Sequence, residues 1–107
     1  TPWTNLTINM VQLSQQVQVP DKFEISYPYP NPFNPSTSIA FGLPSSSEVD
    51  IKVYDIMGRQ VSTILSKRLN EGYHKIDWNP ANLSTGIYFI NIKVNKNDFT
   101  YKVMFIK

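Results

Sequence analysis

Ile87-Tyr-Phe-Ile-Asn-Ile-Lys-Val94 and Phe99-Thr-Tyr-Lys-Val-Met-Phe-Ile106 are separated only by Asn95-Lys-Asn-Asp98. In the first run Tyr88, Ile90, Ile92 and Val94 share one parity, and in the second Tyr101, Val103 and Phe105 do. Successive side chains of a strand point to opposite faces, so each set can line one side of a sheet. The residues between them are of the asparagine and aspartate type that tolerates tight turns and left-handed backbone. The stretch predicts two neighbouring strands with a common apolar face.

The same rhythm extends toward the N-terminus through Thr37-Ser-Ile-Ala-Phe-Gly-Leu43, Val49-Asp-Ile-Lys-Val-Tyr54, Gln60-Val-Ser-Thr-Ile-Leu65 and Tyr73-His-Lys-Ile-Asp-Trp78. Runs recurring at spacings of roughly a dozen residues are the pattern of a sandwich or barrel. The breakers between them are Pro44-Ser-Ser-Ser, Met57-Gly-Arg, Asn70-Glu-Gly and Asn79-Pro-Ala-Asn, in which Gly58 and Gly72 suit positive-φ turn positions. No run of a dozen residues carries helical periodicity, so the chain is predicted to be all-β. Alternation nominates Ile39, Phe41, Val49, Ile51, Val53, Ile76, Trp78, Tyr88, Ile90, Ile92, Val94, Tyr101, Val103 and Phe105 as the core. Two antiparallel sheets packed about 10 Å apart would consume those stripes and leave little apolar material for a ligand pocket.

Ahead of the first of these strands stands Tyr27-Pro-Tyr-Pro-Asn-Pro-Phe-Asn-Pro-Ser-Thr37. Each proline fixes its own φ and pushes the preceding residue toward extended conformations, so the segment forms a stiff rope rather than a helix or a central strand. Its rings are expected either to be presented to a partner or, for Phe33, to plug the open end of the sandwich. Residues 1–20 read as a strand carrying Leu6, Ile8 and Met10, followed by a Gln/Ser-rich linker from Gln12 to Pro20. The composition change at Pro20-Asp21 divides an N-terminal piece of an upstream domain, 1–20, from one compact domain, 21–107.

At 107 residues, with 41% hydrophobic and 13% aromatic residues, one domain with an ordinary core is the expectation. Ten basic and eight acidic residues leave a charge of +2, and the lysines at 52, 67, 75, 93, 96, 102 and 107 are scattered, so no nucleic-acid footprint forms. The absence of cysteine excludes a disulfide framework, thiolate metal sites and a cysteine nucleophile. No apolar stretch approaches the roughly 20 residues that span a bilayer as a helix. The chain begins Thr1-Pro-Trp rather than with Met, which suggests a fragment of a longer protein.

Catalytic chemistry is poorly supplied. His74 is the one histidine, and no Gly-x-Ser-x-Gly elbow accompanies it, so it reads as a structural or surface residue. Asp50 and Asp55 fit surface solvation better than a glycosidase pair. Asn91, Asn95, Asn97 and Asp98 offer oxygen ligands for calcium, yet their spacing does not reproduce an Asp-x-Asp-x-Asp-Gly loop, and a hairpin turn explains them. No cofactor and no metal are expected. Trp3, Tyr27, Tyr29, Phe33 and Tyr73 are not placed on the core face by alternation, which leaves a carbohydrate-binding or adhesive module on an extracellular hydrolase as an alternative.

From about Phe23 to Lys107 the sequence resembles the C-terminal sorting domain of proteins exported by the type IX secretion system, in the type A subgroup that opens with Tyr-Pro-Asn-Pro-Phe-Asn-Pro-Ser-Thr. The blocks that carry the likeness are Tyr29-Pro-Asn-Pro-Phe-Asn-Pro-Ser-Thr37, Ile39-Ala-Phe-Gly-Leu-Pro44, Val53-Tyr-Asp-Ile-Met-Gly-Arg59, Leu83-Ser-Thr-Gly-Ile-Tyr88 and Lys102-Val-Met-Phe-Ile-Lys107. The resemblance implies an immunoglobulin-like antiparallel β-sandwich of about seven strands at the C-terminus of a larger secreted protein. It further implies a non-enzymatic address read by an outer-membrane translocon and its shuttle after export to the periplasm of a Gram-negative bacterium. A sortase-like peptidase would then remove the domain while anchoring the passenger at the cell surface. Carried over residue by residue, the motif positions are Asn31, Pro32, Phe33, Asn34 and Pro35 of the opening block, Gly58 of the turn, Gly86 and Tyr88 of the Gly-x-Tyr block, and Lys102 and Lys107 of the last strand. The terminal strand, with Lys alternating with apolar residues, is the expected recognition surface, open to strand addition or to reading by charge. The same lysines would also protect an edge strand from aggregation.

Overall fold

In a computed structural model of the chain, which describes residues 19–107, the elements are β1 (Glu24–Ile25), β2 (Thr37–Leu43), β3 (Ser47–Tyr54), β4 (Gln60–Leu69), β5 (Gly72–Trp78), β6 (Gly86–Val94) and β7 (Asn97–Phe105). They form a three-stranded sheet of order β1-β2-β5 and a four-stranded sheet of order β4-β3-β6-β7, every neighbouring pair antiparallel. The expected all-β sandwich of about seven strands is therefore the observed fold. In the constant-type immunoglobulin arrangement the fourth strand joins the sheet of the first, second and fifth. Here β4 instead borders β3 on the other sheet.

The alternation has the consequence read from the sequence. Ile39, Phe41, Val49, Ile51, Val53, Trp78, Tyr88, Ile90, Ile92, Val94, Val103 and Phe105 are all buried between the sheets. Ile76 and Tyr101, expected in the core, are only partly buried at its margin, while Leu43 and Phe33 complete it. Two polar side chains are buried with their needs met. The Thr37 hydroxyl donates to the Pro30 carbonyl at 2.8 Å, and the Ser47 hydroxyl donates to the Ser45 carbonyl at 2.8 Å.

Several boundaries differ from the sequence reading. β4 runs on to Leu69 instead of stopping at Leu65, with irregular register against β3 between Ile51 and Lys52 and between Val53 and Tyr54. The irregularities fall within Gln60–Leu65, whereas the continuation Ser66–Leu69 pairs regularly with Ser47–Asp50 and escapes a period-2 reading because Ser66, Lys67 and Arg68 are all polar. The extra strand of the three-stranded sheet is the short β1, which no alternation marks. The strand expected around Leu6 to Met10, the linker from Gln12 to Gln18 and Trp3 lie outside the described residues. Gly58 and Gly72 take φ of 81° and 121°, as their turn positions predict, and Asn95 takes φ of 54° in the β6–β7 turn.

Registers place the connections. Tyr54 pairs with Gln60 and Phe89, Gly86 with Phe105, and Thr37 with Trp78. One end of the sandwich therefore holds the β3–β4 turn, the β5–β6 loop, the start of β2 and the end of β7. The opposite end holds the β2–β3 and β4–β5 connections and the Asn95-Lys96 turn.

Candidate functional site

The proline-rich segment crosses from the small sheet to the large one at that first end. Tyr29 is still bridged to Ser38 of β2, and four residues later Phe33 is bridged, in parallel sense, to Phe105 of β7. The Tyr29-Pro30, Asn31-Pro32 and Asn34-Pro35 peptides are cis. Prolines donate no N–H, so between them only Asn31, Phe33 and Asn34 can offer amide donors to a neighbouring strand.

Asn31 and Phe33 use that opportunity on the outer edge of β7. The Asn31 side-chain amide donates to the Lys102 carbonyl at 3.0 Å, and its oxygen accepts from the Met104 N–H at 3.0 Å, so one side chain imitates a peptide unit. The Phe33 N–H donates to the Met104 carbonyl at 2.9 Å, and the Phe33 carbonyl accepts from the Ile106 N–H at 3.0 Å. The edge from the Lys102 carbonyl to the Ile106 amide is thus sealed. The Phe33 ring turns inward with 1% of its surface exposed, against Phe105 at 5.1 Å and Trp78 at 5.6 Å between ring centres. Of the two expectations for Phe33, the plug is the observed one. Tyr27 and Tyr29 are the presented rings, each 78% exposed.

Tyr88 is fixed in the same region. Near the start of the sixth strand its hydroxyl donates to the Ser84 carbonyl at 2.7 Å while its ring meets Trp78 edge-on at 6.3 Å. This is the tyrosine corner by which sandwiches of this kind pin the loop before that strand. Gly86 pairs with Phe105, and the Lys107 N–H donates to the Thr85 hydroxyl at 2.8 Å, tying the end of the chain to the same loop.

The β3–β4 turn completes the end. The Asp55 carboxylate accepts from the Met57 N–H, the Arg59 N–H and the Arg59 Nε at 2.9, 3.0 and 2.9 Å. The Arg59 amide above all, with the guanidinium and the Met57 amide adding to it, holds the Asp55 carboxyl below the ordinary carboxylate range. Gly58 in left-handed geometry closes the turn, which leaves Ile56 and Met57 exposed at its tip.

All ten motif positions from the sequence, Asn31, Pro32, Phe33, Asn34, Pro35, Gly58, Gly86, Tyr88, Lys102 and Lys107, therefore lie at or next to one end of the sandwich. Phe33 and Tyr88 are core residues there, whereas Pro32, Asn34, Pro35, Lys102 and Lys107 are exposed. Sequence reasoning passed over Asp55, Trp78 and Thr85 as partners of that end. Asp55 could have been found from its place opening a turn that closes on Gly58-Arg59.

The other nominated groups are engaged elsewhere. His74 Nε2 is 2.8 Å from the Asn70 carbonyl, and its ring stacks on Phe41 at 5.6 Å. Asp50 pairs with Lys52 at 3.4 Å. The Asn91 amide donates to the Asp98 carboxylate and the Thr100 hydroxyl, and Asn95 bonds to Ser47 and Glu48 at the far end. The asparagines thus brace strands and turns instead of converging on a common point. Among the described residues no cluster of three or more His, Asp or Glu side chains is placed to hold a metal.

The sequence profile of the family described as secretion system C-terminal sorting domain matches residues 28–107. No curated protein sequence matches the chain. Among solved structures, dimeric latent PorU from Porphyromonas gingivalis superposes with a TM-score of 0.62 at 20% identity, covering 84% of this chain and 10% of that one. PorZ, described as an essential bacterial surface component of the type-IX secretion system of the same organism, superposes with a TM-score of 0.54 at 17% identity, covering 78% of this chain and 11% of that one. At those identities the two structures bear on the fold alone, and this chain spans about a tenth of each. The family match spans most of the chain, and the chain belongs to the secretion system C-terminal sorting domains.

Proposed function

We propose that this sorting domain directs a larger polypeptide, of which residues 1–20 are the connecting piece and residues 21–107 the signal, through the type IX outer-membrane translocon to the cell surface. Membership in the family implies a type IX sorting signal, an upstream passenger in the same chain and export to the surface or the extracellular space. Such domains are generally non-catalytic. The opening block Tyr29–Thr37 supports placement in the type A subgroup. In this reading the translocon shuttle binds the end of the sandwich where the motif residues gather, and a sortase-like peptidase cuts in the Gln12–Pro20 region while the passenger is attached to the surface.

The observation that carries the reading is the gathering itself. Four of the five sequence blocks, far apart in the chain, meet at one end of a fold whose interior is filled by side chains. A binding signal needs a composite surface of this kind, whereas an enzyme needs a cleft with convergent reactive groups. The test is a fluorescent reporter, directed to the periplasm, carrying the whole chain at its C-terminus. Export from a translocon-competent host is expected, with loss of the domain's mass if the peptidase acts. Periplasmic retention in that host sinks the reading, and export of a full-length product removes the cleavage step.

A second reading rests on the exposed Tyr27 and Tyr29, which flank a groove with Tyr101 and could stack on sugar rings. Tyr27 meets Tyr101 edge-on at 5.2 Å. Retardation in polysaccharide gels that disappears in Tyr27→Ala supports a carbohydrate-binding module, and unchanged mobility on every polysaccharide ends that reading.

A further inference from the structure

The outward face of the four-stranded sheet is not uniform along its strands. Registers set Ile87 beside Met104, then Tyr54, Phe89 and Lys102 in one row, then Lys52, Asn91 and Thr100, then Asp50, Lys93 and Asp98. The solvent face of an antiparallel sheet is ordinarily polar. Across β3, β6 and β7 the two rows nearest the end where the motifs gather are apolar except for Lys102, with Gln60 of β4 extending the second, and the rows beyond are polar or charged. Met104 is 41% exposed, Ile87 and Phe89 are partly so, and exposed Pro32 of the proline-rich segment borders Met104 and Ile87 in a shallow recess.

In the polar rows Asp50 pairs with Lys52, and Asn91 bonds to Asp98 and Thr100. Lys102, like Lys93 of those rows, makes no ion pair among the described residues, but Lys93 lies between Asp50 and Asp98 whereas Lys102 stands beside apolar neighbours. An apolar patch with one uncompensated cation on its rim fits a protein surface that offers apolar side chains around a carboxylate. The neighbouring strand edge is unavailable for pairing, because Asn31 and Phe33 already occupy its groups from the Lys102 carbonyl to the Ile106 amide.

We infer that a protein partner reads the terminal strand face-on, through Met104, Ile87 and Phe89 with Lys102 set against a partner carboxylate, and not by adding a strand to its edge. The inference rests on the sorting function and specifies its contact surface. Its test uses the same reporter carrying the whole chain, with three substitutions and a check of cooperative thermal unfolding on each purified variant. Met104→Glu and Lys102→Glu each lower export by about tenfold or more, the loss expected when a central interface anchor is removed, while unfolding stays cooperative. Lys96→Glu makes the same charge reversal in the exposed turn at the opposite end of the sandwich, so export stays within about twofold of the parent, a change too small to signal a lost anchor. Parental export of both face variants overturns the inference, as does a loss of export in Lys96→Glu equal to theirs. Concentration-dependent dimerisation of the chain that Met104→Glu abolishes would make the occupant a second copy and overturns it as well. Failure of the unaltered chain to be exported removes the sorting function itself, and this contact with it.

Discussion

Replacing Phe33 with alanine withdraws the ring wedged between Phe105 and Trp78 at the end of the sandwich. A buried Phe→Ala change costs about 3–5 kcal/mol through lost transfer energy and the cavity left behind. Set against the total stability of a small domain, about 5–15 kcal/mol, this is a large share. Denaturant melts of Phe33→Ala should show that loss, and a loss below about 1 kcal/mol, the scale of an ordinary surface change, would contradict the plug. Tyr88→Phe keeps the ring and removes only the bond to the Ser84 carbonyl, so about 0.5–1.5 kcal/mol is expected from the same measurement. Neither role follows from alternation alone. Phe33 sits between prolines where no period exists, and Tyr88 reads as one more inward residue until its hydroxyl is seen to pin the loop.

The β3–β4 turn and the sealed edge of β7 are the informative elements. The Asp55 carboxyl titrates lower in the folded chain than in the unfolded one, whose aspartates titrate near 3.9. A depressed carboxylate contributes stability that is fully present above the unfolded value and is lost as pH falls through the folded one. Hydrogen exchange at the Met57 and Arg59 amides should therefore be independent of Asp55 ionisation above about pH 5, and their protection should weaken progressively below about pH 4. In Asp55→Asn that acid-dependent step should vanish, and its persistence would assign the titration elsewhere. The turn was legible as Met57-Gly-Arg with a positive-φ glycine, but the clamp by Asp55 was not, since the residue looked like ordinary surface acid. The bond between the Asn31 side chain and β7 spans 71 positions and substitutes a side chain for a strand, so no local pattern announces it. The alternating strands β2, β3, β5, β6 and β7 are legible to within two residues at either end. β4 reads as ending at Leu65 because Ser66-Lys67-Arg68 carries no apolar alternation, although those residues pair in regular register with Asp50, Val49 and Glu48.

At the scale of the whole molecule, two antiparallel sheets convert a linear order of motifs into one surface. The first block opens the small sheet, the third ends β3, the fourth leads into β6 and the fifth ends β7, and antiparallel pairing brings all four to the same end. That gathering was invisible in the sequence because it depends on which strands pair, whereas the sandwich class followed from spacing alone. The polarity of the outward face along the strands arises the same way, from rows assembled across β3, β6 and β7. The proposal that this folded end is a secretion address is decided by the ratio of exported to periplasmic reporter carrying the whole chain, compared between a host with a working type IX outer-membrane translocon and the same host lacking it. Export that depends on both the translocon and the chain is expected, and equal periplasmic retention in the two hosts rules it out.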